Sequence, residues 1–207
     1  MKILNLYAGI GGNRKLWGED HEVTAVEYDP IIAKLYKENF PNDTVLVEDA
    51  HAYLLKMINE KIWYDFVWTS PPCPSHSKIR NIAGVGRGQN DLIYPAMELW
   101  QEIIVLKRVI GLKRIKHFVA ENVELYYGPV LNPRKVGRHY IWSDFYISPY
   151  PSKQNVQLID STIPQLQEQL GIFNTQNKKY LRNCVDPKTA FHIFDAIPGN
   201  RKRNILL

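Results

Sequence analysis

Lys2-Ile3-Leu4-Asn5-Leu6-Tyr7-Ala8-Gly9-Ile10-Gly11-Gly12 is an apolar run that ends in closely spaced glycines. Lys2–Tyr7 reads as a strand, Gly9–Gly12 as a tight turn, and Arg14–Gly18 as the start of a helix. Glycine past the carboxyl end of a strand lets backbone approach a ligand, and ligands of open α/β sheets sit at that edge. The turn is therefore a nucleotide-site candidate, although a structural turn fits this segment equally well. It lacks the G-x-G-x-x-G spacing of dinucleotide sites, and it lacks Gly-Lys-Ser/Thr, which excludes a P-loop.

The same alternation continues outward from this stretch. His21–Glu27, Thr44–Val47, Tyr64–Thr69 and His117–Glu121 read as further strands. Pro30 at a first helical position opens a helix over Ile31–Asn39. Ala50–Glu60 reads as another helix, and Asp91–Gly111 as a long one with Leu92, Ala96, Leu99, Ile103, Leu106 and Ile110 at helical spacing. Strands alternating with helices predict an α/β fold, a mostly parallel sheet with helices on both faces. After Tyr127 the pattern loosens: Tyr140–Ile147 reads as one more strand element and Pro187–Ala196 as a final helix. Ser148–Lys179 is polar and reads as a small irregular subdomain or a mobile loop.

The 207 residues suffice for one domain with a real core. No apolar run nears the roughly 18 residues that cross a bilayer. The N-terminus has no secretory pattern, and the two cysteines, Cys73 and Cys184, cannot build a disulfide framework. These features lead to an expectation of a reducing, cytoplasmic location. Residues 1–100 carry 10 Lys+Arg against 13 Asp+Glu, a net of −3, and residues 101–207 carry 16 against 8, a net of +8. The split fits a polyanion met mainly by the second half, or a basic surface kept for solubility.

Several strand ends carry chemistry. Glu27 lies 18 residues after Gly9, where a carboxylate binds the hydroxyls of a ribose, and Asp29 before Pro30 suits a helix cap. Asp49 fits either a helix cap or an acceptor for an adenine amino group. Thr69-Ser70-Pro71-Pro72-Cys73-Pro74-Ser75 presents one thiol on a stiffened loop just past a buried strand, which suits a positioned nucleophile better than a core cysteine. Glu121 ends its strand at the same edge and can carry a proton there, or be a solvated acid. Arg201-Lys202-Arg203 could grip phosphate or fray, and Lys107, Arg108, Lys113, Arg114 and Lys116 could serve the long helix's dipole.

In order and content these segments resemble the cytosine-5 DNA methyltransferases. The matching segments are Asn5–Gly12, Glu27-Tyr28-Asp29, Arg87-Gly88-Gln89-Asn90-Asp91, Pro72-Cys73, Glu121-Asn122-Val123 and Arg182-Asn183-Cys184-Val185-Asp186-Pro187. The likeness leans toward small phage and bacterial members and, at Tyr140-Ile141-Trp142, toward the vertebrate de novo enzymes. It implies a Rossmann-like fold in which residues 1–147 and 180–207 form the catalytic domain and 148–179 a reduced target-recognition segment. It implies S-adenosylmethionine bound along Tyr7, Ala8, Gly9, Ile10, Gly11 and Gly12, by Glu27, Tyr28, Asp49 and Ala50, and beside Pro71, Asn183 and Val185. Cys73 would be the nucleophile on carbon 6 of a flipped cytosine, Glu121 the acid at N3, and Arg138 the contact to the pyrimidine O2 or a phosphate. Ile82–Gly88 could close over the base.

Departures from the family pattern are Asn5, Pro74, Arg182 and Asp186, and the Arg-x-Arg pair is replaced by a choice among Arg134, Lys135, Arg138 and His139. The resemblance also implies DNA as the substrate, no metal and no membrane. Gln and Asn of residues 148–179 would read bases, and a protein partner or a second copy would complete target recognition. Transfer RNA as the substrate is the second reading. A catalytically silent regulator is the third, and the presence of both Cys73 and Glu121 argues against it.

Overall fold

The computed structural model describes residues 1–73, 76–77, 96–150 and 161–200. The glycine-rich stretch 82–88, the segment 87–91, the beginning of the expected long helix, Pro74 and the basic residues 201–203 lie outside the described residues. So do Gln154, Asn155 and Gln157.

Seven strands form one sheet among the described residues: β1 (Lys2–Leu6), β2 (Glu22–Val26), β3 (Thr44–Leu46), β4 (Tyr64–Thr69), β5 (Ile115–Val123), β6 (Arg134–Val136) and β7 (His139–Ser143). Their order is β3-β2-β1-β4-β5-β7-β6. β1 to β5 pair in parallel, whereas β7 runs antiparallel to β5 and to β6. Strand order reverses between β1 and β4, which opens a crevice at their carboxyl ends.

Alternate strand residues face opposite sides, and both sides are apolar. Leu4, Val67, Phe118 and Trp142 pack in one cluster, and their neighbours Ile3, Phe66, Val119 and Ile141 pack in another. Helices α1 (Pro30–Asn39), α2 (Ala50–Asn59), α3 (Ala96–Gly111), α4 (Ile163–Leu170), α5 (Lys178–Arg182) and α6 (Pro187–Asp195) complete the described elements. Their starts follow from local chemistry. Asp29 accepts from the N–H groups of Ile31 and Ile32 ahead of Pro30, Asp49 caps α2, and Asp186 caps α6 ahead of Pro187.

Four expectations need correction. The helix expected from Arg14 to Gly18 is a chain of turns: the N–H groups of Arg14 and Trp17 donate to the carbonyls three residues back, and Gly18 at φ 89° ends the run, while the Arg14 side chain bonds the Gly18 carbonyl (2.8 Å) and buried Asp43 (2.9 Å). The fifth strand extends beyond His117–Glu121 at both ends, to Ile115 and Val123, since β4 and β7 pair along its length. A short β6 precedes β7. Within the segment expected to be a small irregular subdomain or a mobile loop, residues 163–170 form a packed helix: Thr162 and Gln165 form a capping box, α4 ends at Gly171 with φ 64°, and Leu166, Leu170 and Ile172 pack with Ile10 of the glycine turn.

Candidate active site

The glycine turn is held by backbone geometry and one carboxylate. Tyr7 has φ 55°, and Gly9 and Gly11 have φ 57° and 89°. The Gly9 N–H donates to Glu27 Oε2 at 2.9 Å, and the Asp29 N–H donates to Oε1 of the same side chain at 3.0 Å. Glu27 therefore closes the β1 turn against the end of β2. A Cβ at Gly9 would meet no atom within 4 Å, so the turn presents open backbone to the cleft. Tyr7 donates its hydroxyl to fully buried Glu102 of α3 at 3.0 Å, and Thr69 donates to the other oxygen at 2.5 Å.

The thiol loop is anchored on both flanks. The buried Asn122 amide donates to the Pro71 carbonyl at 3.1 Å, and the N–H groups of His76 and Ser77 donate to the Cys73 carbonyl. His76 bonds the Tyr127 hydroxyl at 2.7 Å, and Ser77 bridges Leu125. These contacts tie the loop after β4 to β5 and its continuation, so Cys73 stands beside Glu121.

One cleft of about 680 Å³ runs between these parts. Cys73, Glu121 and Arg138 line it together with Tyr7, Ala8, Gly9, Ile10, Gly12, Glu27, Pro71, Asn183 and Val185. Gly11 does not line it: its missing Cβ makes room for Phe40, whose ring would lie 2.1 Å away. Tyr28 is 75% exposed outside it, Ala50 is buried in the core, and Asp49 caps α2 through the Ala52 N–H at 2.7 Å. The acidic and basic halves of the chain meet here, because Arg138, Lys179 and Arg182 line the same cleft as Glu27 and Asp29.

Burial dominates the electrostatics. It pushes the Glu121 carboxyl up to about 7, against the pull of a Ser70 hydrogen bond and of Arg138. Burial and then the Glu121 charge push the Cys73 thiol up to about 11, while Arg138 opposes. Burial and Arg138 lower His139 to about 3, so its ring is neutral. A carboxyl near 7 can carry a proton at neutral pH, as an acid at this place requires.

Sequence reasoning missed several parts. His139 was only one of four basic alternatives, although its spacing from Ile141 on a strand puts it on the Glu121 face. Lys179 carried no signal, and Arg182 stood out only as a departure. Glu102 has a readable signal, an acid within the apolar stripe of α3. Gln165, Gln167 and Gln169, which fall in the segment expected to read bases, bond within the chain to Thr162, the carbonyls of Phe173 and Thr175, and Asp186.

The strand order, with its antiparallel β7 and its cleft at the switch point, defines a Rossmann-like S-adenosylmethionine-dependent methyltransferase fold. The C-5 cytosine-specific DNA methylase family matches residues 1–129, and the chain belongs to it. The human tRNA (cytosine(38)-C(5))-methyltransferase is 21% identical, over 92% of this chain and 54% of its own length. The type II methyltransferase M1.HphI of Haemophilus parahaemolyticus is 33% identical, over 59% of this chain and 32% of its own. The chain thus spans about half the length of the first of these relatives and a third of the second. The solved SAM-dependent methyltransferase of Agrobacterium tumefaciens aligns at 19% identity over 61% of this chain and 40% of its own, with a TM-score of 0.46.

S-adenosylmethionine is the cofactor of this fold, and the residues fit it. The open glycine backbone, the Glu27 carboxylate and the cleft volume suit an adenosine with a short charged tail. Among the described residues no group of three His, Cys, Asp or Glu could hold a metal ion, and no helix is long and apolar enough to cross a membrane.

Proposed function

We propose that this chain transfers a methyl group from S-adenosylmethionine to carbon 5 of cytosine in DNA, through a covalent Cys73 adduct at carbon 6 of a flipped base. The observation that carries the reading is a thiol, a protonatable carboxyl and an open glycine turn in one cleft. When bound, S-adenosylmethionine supplies an electrophilic methyl group. The Cys73 thiolate bonds to C6, and the C5=C6 electron pair becomes available at C5. Glu121 holds its proton at N3, which draws electron density from the ring as sulfur adds. C5 takes the methyl group and then loses its proton to water. The pair returns to C5=C6 and expels the thiolate, so Cys73 is regenerated.

Target reading would fall to residues in or beyond 148–179, or to a protein partner or second copy. The basic side chains Arg138, Lys179 and Arg182 at the cleft suit a polyanion. The second reading, transfer RNA, draws on the tRNA relative that aligns along 92% of this chain. A tritiated-methyl assay on duplex DNA, on transfer RNA and on neither separates the two substrates from a silent regulator. Trapping on 5-fluorocytosine DNA tests the covalent step, because fluorine at C5 blocks the final proton loss. Methylation without a trapped adduct would overturn the thiolate route.

A further inference from the structure

Tyr7 and Thr69 stand at the carboxyl ends of β1 and β4, the neighbouring strands on either side of the switch point. Leu6 pairs with Thr69 in parallel register, and the Ser70 N–H donates to the Leu6 carbonyl at 3.3 Å. Both hydroxyls reach one carboxyl of α3: Tyr7 donates to Glu102 Oε2 at 3.0 Å, and Thr69 donates to Oε1 at 2.5 Å. Glu102 is fully buried, and Leu99, Ile103 and Leu106 of the same helix lie in the apolar core. A buried carboxyl is costly in such surroundings unless hydrogen bonds hold it, and a leucine would pack there at less cost. Tyr7 is a second anomaly. Its φ of 55° strains a residue that carries a side chain, and such strain persists where the surrounding structure enforces it, often at ligand sites. Tyr7 lines the cleft and leads into the glycine turn, whereas Thr69 ends β4 and leads into the Ser70-Pro71-Pro72-Cys73 loop.

We propose that Glu102 is a positioning residue for both halves of the site: one oxygen holds Tyr7 in its left-handed conformation and keeps the glycine turn open to S-adenosylmethionine, and the other fixes the end of β4 from which the Cys73 loop departs. This rests on the reading of the cleft as a site of cytosine methylation. The methyl donor and the thiol are then carried by different strands, and a misplacement of about 1 Å between reacting groups can cost roughly a hundred-fold in rate. The paired register of β1 and β4 ends at Leu6 and Thr69. Glu102 extends the tie past that point, because it binds the side chain of Tyr7, the first residue beyond β1, to the side chain of Thr69. An apolar residue at 102 would fill the same space and leave the two strand ends to move independently.

The test uses three variants of the full chain. Tyr7→Phe and Thr69→Val each delete one hydroxyl and keep the side chain's shape, and Glu102→Leu deletes both acceptors. Calorimetry gives the S-adenosylmethionine affinity, and single-turnover transfer at saturating cofactor gives the rate. Tyr7→Phe is expected to weaken cofactor binding roughly ten-fold and to leave the saturated rate within about two-fold, since it loosens the turn alone. Thr69→Val is expected to do the reverse, with affinity within about two-fold and the rate down roughly ten-fold. Glu102→Leu is expected to show both losses, and Tyr7→Phe added to it is expected to weaken binding by less than about two-fold more, because the bond is already gone. A carboxyl that serves stability alone would lower the melting temperature of all three variants without this split. Native affinity in Tyr7→Phe together with a native rate in Thr69→Val would overturn the proposal. Weakened cofactor binding in Tyr7→Phe and Glu102→Leu, in a protein whose native form methylates neither DNA nor transfer RNA, would support the hold on the turn and sink the functional reading.

Discussion

The backbone N–H of Gly9 donates to the Glu27 carboxylate at 2.9 Å, so the acid at the end of β2 holds shut the glycine turn at the end of β1. The second oxygen accepts from Asp29, which in turn caps α1. One side chain therefore sets the turn, the helix entry and the polar edge of the cleft. Glu27→Ala is expected to weaken S-adenosylmethionine binding about ten-fold or more and to cost about 1 kcal/mol of stability, since the freed N–H groups lie near solvent. Glu27→Gln, with one acceptor left, should fall between. Calorimetry and thermal melts check both effects, and unchanged affinity in Glu27→Ala would remove Glu27 from the cofactor site.

Glu121 exchanges stability for chemistry. Its carboxyl is raised from 4.5 to about 7, so the folded state binds the proton more tightly than the unfolded chain does. The stabilisation is full below about 4.5 and is lost as pH rises through about 7, an effect on the order of 3 kcal/mol. Glu121→Gln removes the titration and keeps the shape. It should melt higher than the native chain at pH 8 by several degrees, with the gap closing toward pH 5, while methyl transfer is abolished. Equal melting temperatures at both pH values would mean that the carboxyl is not held protonated.

Cys73 and Glu121 must react in opposite ionisation states, thiolate beside acid. With the carboxyl near 7 and the thiol near 11, that combination reaches its plateau between the two values and falls off on either side. The profile of kcat/KM against pH is expected to rise through about 7 and stay high through the weakly alkaline range. Cys73→Ala should keep cofactor affinity and lose transfer and the 5-fluorocytosine adduct. Full turnover by that variant would exclude the thiolate mechanism.

Much of this site is legible in the sequence because its parts sit at strand ends. The apolar run of Lys2–Leu6, the Pro30 and Pro187 helix starts and the stiff Pro71-Pro72-Cys73 loop are local signals, and Glu27, Cys73 and Glu121 follow from them. Contacts made across the sheet were not legible. Asp49 and Gln165 each serve a helix start through their side chains, a local use that the sequence offers beside a ligand or base contact. His139 and Glu102 depend on pairing register and on a helix packed far away in sequence. Residues 161–179 carry readable helix signals, Thr162 and Gln165 at the start and Gly171 at the end, which their polar composition masks, and Ile10 supplies the apolar partner for Leu166 and Leu170. Tertiary packing there outweighs composition.

That same packing makes Gly12 a sensitive position of the glycine turn. A Cβ at Gly12 would lie 2.6 Å from the Cβ of Cys184 and 2.8 Å from the carbonyl oxygen of Val185. Neither is the far end of a flexible side chain, so the segment between α5 and α6 would have to move. Asn183 and Val185 of that segment wall the cleft, and Leu181 packs under Ile10. Gly12→Ala is expected to destabilise the fold by about 1–3 kcal/mol and to weaken cofactor binding more than a surface substitution of similar stability cost. Gly9→Ala is the informative partner: its Cβ would meet open space, and only its φ of 57° opposes the change. If thermal melts and calorimetry give Gly12→Ala the stability and affinity of the native chain, the contact between the glycine turn and residues 184–185 does not close the cofactor cleft.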